Sequence, residues 1–382
     1  MKNFRCVCGN TVYFENSQCL ACGRALGYLP DRATLSALEP AAADSRGEGQ
    51  WRAVAPAAGG GDRLYRQCVN YARERVCNWM VPADDPHAFC SSCRLNDVIP
   101  NLSDPQNRVL WRRIEEAKRR LLYTLYALGL PVIGREDDPE RGLGFEFLAD
   151  QVSGLEFADP FGQHAHVITG HRAGLITINV AEADPSARER MRERMNEQYR
   201  TLLGHFRHEI GHYYWERLVR PTACLEAFRT LFGDERGDYE AALAHYHANG
   251  APPDWQVNYV SAYAAAHPWE DWAETWAHYL HIVDTLETAH DYGFELCGRV
   301  LAAPIERTKA ADAASADSQT RNDVFDELLA DWSALSLAMN SLNRSMGLPD
   351  AYPFAVSGHA ADKVHFVHRL VHYGGSDCSA GD

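Results

Sequence analysis

No stretch of this chain approaches the roughly eighteen consecutive apolar residues that a membrane-spanning helix needs. The opening residues, MKNFRCVCGN, lack the apolar core of an export signal. Together these absences predict a cytoplasmic protein with no membrane partner. Positive charge is also scarce: 37 Lys and Arg face 52 Asp and Glu, a formal net charge of -15, which argues against the chain as a whole binding nucleic acid. The deficit is uneven. Residues 1–130 hold 17 basic and 13 acidic residues, net +4, so the remainder holds 20 and 39, net -19. An acidic body repels polyanions, while the basic front could meet an acidic partner or be a solvated surface.

Cysteine, by contrast, is plentiful: eleven residues, which without an export signal points to metal ligands rather than disulfides. Cys6, Cys8, Cys19 and Cys22 form two close pairs, each followed by glycine (Gly9, Gly23) that permits a tight turn. This pattern predicts a zinc ribbon over residues 1–28, folded by its structural zinc because so short a module buries too little core. Its role could be to bind a protein partner. Residues 29–63, rich in Ala and Gly, read as a flexible linker. Residues 64–100 carry Cys68, Cys77, Cys90 and Cys93, a second candidate structural zinc site; His87 could replace one cysteine, or the pair Cys90 and Cys93 could act alone. Cys224, Cys297 and Cys378 stand apart and read as isolated thiols.

From residue 101 to 382 the pattern is that of one α+β domain, mostly helical with a small β-sheet. Ser103-Asp104-Pro105 opens a long helix with Leu110, Ile114, Leu121 and Leu125 on its apolar stripe; Arg112, Arg113, Lys118, Arg119 and Arg120 read as its solvated face. Residues 142–180 alternate as β-strands, and GLITINV is the candidate edge strand for an extended peptide, with His164, His166 and His171 nearby. Asp184-Pro185 then opens helical sequence that runs to Pro221. Helices are also expected over 324–342 and 361–373, and LNRSMGLPDAYPF is a loop that could wall a cleft.

The chemistry concentrates in residues 204–218, GHFRHEIGHYYWERL. His208 and His212, four apart on one helical face, can both reach one zinc ion, with Glu209 beside them as a general base. A catalytic zinc needs a third protein ligand. Trp215 and Leu218 stand where a metzincin has glycine and histidine, so that branch is excluded. The third ligand must come from elsewhere, and residues 261–284 offer it: Pro268 opens a helix that places Glu270, Glu274 and His278 on one face, backed by Trp272, Trp276, Tyr279 and Leu280.

HEIGH followed by EDWAE resembles the gluzincin peptidases. That resemblance implies Glu270 as the third zinc ligand, Glu274 as the carboxylate that orients His208 or His212, and Tyr263 as a phenol near the reacting carbonyl. More of the chain, including CNWMVP, CSSCRLN, EEAKRRLLYTL, HPWEDWAETWAHYLHIVDTLETA and LNRSMGLPDAYPF, is similar to a bacterial family of zinc-binding metallopeptidases. The implied protein is a zincin-like hydrolase of peptide bonds with one catalytic and two structural zinc ions. A zinc-stabilised adaptor on a peptidase-like scaffold and a zinc hydrolase of non-peptide amides are the competing readings.

Overall fold

The computed structural model describes residues 2–41, 49–54, 63–150, 167, 169–194, 199–296, 298–313 and 318–374. His164, His166, Cys297 and Cys378 lie outside them. The architecture is mixed α and β, about half helical with small sheets, and the chain divides into two compact units.

One unit holds Lys2–Leu125 and Pro131–Met191. Strands β1 (Phe4–Arg5) and β2 (Thr11–Val12) form a short hairpin. Strands β3 (Ala25–Leu29), β4 (Thr34–Pro40), β5 (Gln50–Val54), β6 (Leu64–Gln67) and β7 (Met80–Pro82) follow one another in an antiparallel sheet, with the single-turn helix α1 (Val69–Ala72) before β7. The linker expected over residues 29–63 is therefore corrected: β4 and β5 lie inside it, and Trp51 pairs across the sheet with Tyr65. Alanine-rich composition obscured strands, of which β4 buries Leu35, Ser36, Ala37 and Leu38 in succession. Phe4, Phe14, Tyr28, Trp79 and Tyr123 pack edge to face, with Phe14 and Tyr28 centroids 4.8 Å apart.

Strand β8 (Asn96–Val98) and helix α2 (Pro105–Ala127) come next, then β9 (Gly144–Leu148), β10 (Gly170–Arg172) and β11 (Leu175–Asn179). The sheet order is β10-β11-β9-β8. GLITINV is therefore not an edge strand: β11 is hydrogen-bonded on both sides, antiparallel to β10 and parallel to β9. His171, on β10, uses Nε2 to accept the backbone N–H of Gly174 at 3.0 Å.

The face of α2 also differs from expectation. Lys118 and Arg119 are buried rather than solvated. Lys118 Nζ donates to the Ser92 carbonyl at 3.0 Å, to Asn96 Oδ1 and to Glu115 at 3.1 Å, and Arg119 Nη1 donates to the Val76 carbonyl at 2.7 Å. Buried cations need such partners. These tie the helix to the backbone beside Cys77 and between Cys90 and Cys93.

The other unit holds Tyr126–Leu130 and Arg192–Asp382. Helical sequence from Pro185 is interrupted rather than continuous: α3 (Pro185–Arg194) ends, and Thr201 caps a new helix, α4 (Leu202–Tyr214), by accepting the Gly204 N–H at 2.9 Å. A π-helical turn, Trp215–Val219, extends α4. Helices α5 (Cys224–Phe232), α6 (Tyr239–Asn249) and α7 (Pro268–Asp291) follow, then the hairpin β12 (Glu295–Leu296) and β13 (Arg299–Val300), and α8 (Pro304–Ala313), α9 (Ser318–Ser345) and α10 (Gly358–Tyr373). Cys224 is buried and disulfide-bonded, not an isolated thiol.

Helices α4 and α7 form the centre of this unit. Gly211 lets them approach closely: a Cβ there would lie 3.1 Å from Ala273 Cα and 3.2 Å from Trp276 Cβ. Trp272 Nε1 donates to the Gly211 carbonyl at 2.8 Å, and Tyr214 stacks on Trp276 at 4.9 Å. Buried ion pairs join α4 to α7 (Arg207 with Asp284) and α7 to α10 (Asp271 with Lys363, 2.6 Å).

Candidate metal centres

The helix capped by Thr201 presents His208, Glu209 and His212 toward the N-terminal turn of α7, which begins where His267 accepts the Trp269 N–H at 3.1 Å and Pro268 occupies the first turn. Glu270 therefore enters from the opposite helix. Its Oε2 lies 3.0 Å from His208 Nε2, its Oε1 lies 3.7 Å from His212 Nε2, and the three ligand atoms available from these residues fall within 4.8 Å of one another.

Two donors bonded at about 2.1 Å with a tetrahedral angle sit about 3.4 Å apart. The separations of 3.0 Å to one Glu270 oxygen and 3.7 Å to the other bracket that value. Glu270 Oε2 is buried and makes no hydrogen bond, which leaves it an oxygen to spend on a cation. The donor set, two imidazoles and a carboxylate, is one that zinc accepts.

Glu274, one turn along α7, accepts from His208 Nδ1 at 2.7 Å and from the Ser261 hydroxyl at 2.5 Å. In the neutral imidazole that a metal would require, a proton on Nδ1 leaves Nε2, the atom facing Glu270, free of one. Burial raises the pKa of Glu274, but the hydrogen bond and charge of His208 outweigh it and hold the carboxyl at about 2. Burial likewise opposes ionisation of Glu270, and the attraction of His212 and His208 overrides it, placing this carboxyl well below its ordinary range. Both acids are thus carboxylates at neutral pH.

Glu209 is buried on α4, 8 % exposed. Tyr263, in a 3-10 turn (Tyr263–Ala266), has its ring 5.9 Å from that of His208. Burial and then the charge of Glu270 raise its pKa, so its phenol keeps its proton. His278 stands apart from the ligand group: its Nδ1 meets the Tyr352 hydroxyl at 2.5 Å, and burial lowers its pKa to about 4. Of the segment LNRSMGLPDAYPF expected as a loop, LNRS is the end of α9, and Phe354, its last residue, packs 4.6 Å from His278.

Several neighbours carried no pattern by which the sequence could have marked them. Tyr239 donates to Glu270 Oε1 at 2.6 Å from 31 residues upstream. Trp269 lies over the His212 ring at 3.9 Å. Ser261, which anchors Glu274, is a common residue in an unremarkable loop.

The cysteines form two further centres. Cys6 and Cys22 Sγ are 3.6 Å apart, and Cys8 and Cys19 Sγ 3.7 Å; Cys77 and Cys90 Sγ are 3.8 Å apart. Sulfurs on one tetrahedral zinc, each bonded at about 2.3 Å, are separated by about 3.8 Å. Gly9 (φ +87°) and Gly23 (φ +73°) adopt the left-handed conformation that returns the chain around the first group. The second group contains Cys68, Cys77, Cys90 and Cys93, all buried, while His87 is exposed.

Fold and site together define a metalloprotein with cysteine-rich modules and a His-His-Glu centre between two helices. A model of a zinc-ribbon domain matches residues 3–104, and one described as "Putative zinc-binding metallo-peptidase" matches residues 107–370. The chain belongs to that metallopeptidase family. It is 39% identical over 373 residues to uncharacterized proteins from Mycobacterium bovis and from the CDC 1551 and H37Rv strains of Mycobacterium tuberculosis, covering 97% of this chain and 95% of each relative. No solved structure matches. The family and the cysteine groups support zinc as the metal, and among the described residues no helix is long and apolar enough to cross a membrane.

Proposed function

We propose that this chain is a gluzincin-type zinc peptidase, with His208, His212 and Glu270 holding the catalytic ion and Glu209 acting as general base. The observation that carries the reading is the convergence of two imidazole Nε2 atoms on one buried carboxylate: His208 Nε2 lies 3.0 Å from Glu270 Oε2, which makes no hydrogen bond, His212 Nε2 lies 3.7 Å from Glu270 Oε1, and one ligand atom from each residue falls within 4.8 Å of the others. Zinc bound there supplies Lewis acidity, which makes water a better acid and a carbonyl a better electrophile.

Glu209 takes the proton from the attacking water as its oxygen adds to the peptide carbonyl carbon. It returns that proton to the departing amine as the carbon–nitrogen bond breaks. Tyr263, kept protonated by burial and the nearby carboxylate, donates its O–H to the negative charge that develops on the carbonyl oxygen. Glu274 fixes the His208 tautomer through its hydrogen bond to Nδ1. The two cysteine groups hold one structural zinc each, giving three ions per chain.

The test is a proteome-wide map of new N-termini generated by the zinc-loaded wild type and by Glu209→Gln. Termini made by the wild type and lost in the variant, with zinc content equal in both, support the assignment. An empty map for the zinc-loaded wild type removes the peptide-bond reading, and persistent cleavage by the variant removes Glu209 as the base.

A further inference from the structure

Helix α6 begins at Tyr239, directly after Asp238, whose side chain caps it by accepting the Ala241 N–H at 3.0 Å. No residue of this helix is buried, so packing alone does not explain where its first side chain goes. The Tyr239 ring makes edge contacts with His267, 5.2 Å away, and Trp269, 5.8 Å away. These residues flank Pro268 and lead directly into Glu270. The hydroxyl then reaches Glu270 Oε1 at 2.6 Å.

This contact makes the two oxygens of one carboxylate unequal. Oε1 is engaged by a phenol, whereas Oε2 makes no hydrogen bond and lies 3.0 Å from His208 Nε2. A carboxylate with two free oxygens can swing between one-oxygen and two-oxygen ligation of a cation. An open catalytic zinc site needs its fourth position left to water.

We infer that Tyr239 is a positioning residue that reserves Glu270 Oε2 for the metal, making Glu270 a single-oxygen ligand. The inference deepens the proposed function and rests on its metal-ligand assignment. It also gives the exposed helix α6 a link to the centre: Tyr246, two turns further on, meets the ring of Tyr263 at 5.6 Å.

The experiment compares full-length wild type, Tyr239→Phe and His208→Ala, each loaded with zinc and titrated with a chelator, then reloaded at the exchangeable site with cobalt(II). Circular dichroism verifies that each variant is folded; Tyr239→Phe keeps the ring that packs on His267 and Trp269. The expected result is a loss of about 10- to 100-fold in affinity for the exchangeable ion in Tyr239→Phe, with a changed visible cobalt spectrum and unchanged zinc in the cysteine groups. Equal affinity and an identical cobalt spectrum in wild type and Tyr239→Phe, with the ion lost from His208→Ala, overturn the role of Tyr239 alone. Full retention of all ions by His208→Ala overturns the ligand assignment, and the inference with it.

Discussion

Gly211 sits inside α4, the helix that carries His208 and His212, and at its close approach to α7, so adding one methyl there probes the candidate site and the fold together. In an exposed helix, Gly→Ala is favourable by about 1 kcal/mol because the unfolded chain loses freedom. Here the new Cβ would sit 3.1 Å from Ala273 Cα and 3.2 Å and 3.3 Å from Trp276 Cβ and Cγ. Neither neighbour yields easily, since one is helix backbone and the other belongs to a fully buried indole.

Overpacking of this kind costs about 1–3 kcal/mol. Moving the helices apart also stretches the bond from Trp272 Nε1 to the Gly211 carbonyl, 2.8 Å long, worth about 1 kcal/mol. The balance for Gly211→Ala is a destabilisation of about 1–3 kcal/mol, or a fall in Tm of roughly 2–12 °C for a unit of this size. Because His208 and His212 lie on one helix and Glu270 on the other, the same movement should weaken zinc binding at this centre. Calorimetry of the full chain, with and without excess zinc, measures both effects. A variant as stable as wild type with undiminished zinc affinity would refute the close-packing argument.

Lys363→Met should destabilise the same unit by about 3–5 kcal/mol, because it strips the fully buried Asp271 of its 2.6 Å partner; chemical denaturation reads the loss, and a change below 1 kcal/mol would mean that Asp271 finds another partner or protonates. The pH dependence of stability follows from half-buried histidines held in the neutral form. Burial lowers His171 and His372 to about 4 from an ordinary 6.5, so on acidification the unfolded chain takes up these protons first. Stability is therefore full above about pH 6.5 and falls as pH drops through the window to 4, by up to about 2 kcal/mol for each histidine after solvent screening. Replacing His372 with Gln should flatten part of that loss in melts taken between pH 4 and 7; an unchanged profile would assign the acid sensitivity to other groups.

The spacing of His208 and His212 on one helix, the proline that opens α7 and the cysteine groups were legible because their signals are local. Ligand spacing of four residues, proline at a first helical turn and paired cysteines followed by glycine each constrain a few consecutive residues, and the backbone repeats them as geometry. Strands β4 and β5 were hidden by alanine-rich composition, and Lys118 and Arg119 by a charge that normally marks a solvated face. Position in a sheet was equally illegible. The alternation of LITIN identifies a strand, but only its pairing with both β9 and β10 decides that it is central.

By itself, then, the sequence determined the donor types and their spacing: His208 and His212 on one helical face, Glu270 and Glu274 on another, and eight cysteines in two groups. What tertiary structure decided is how those faces meet. The absence of a side chain at Gly211 brings α4 against α7, Glu274 and Ser261 form a hydrogen-bonded chain to His208, and Tyr239 reaches Glu270 from a helix with no sequence link to it. These contacts depend on close packing between distant segments, and a hydrogen bond across 31 residues leaves no periodicity for the chain to display.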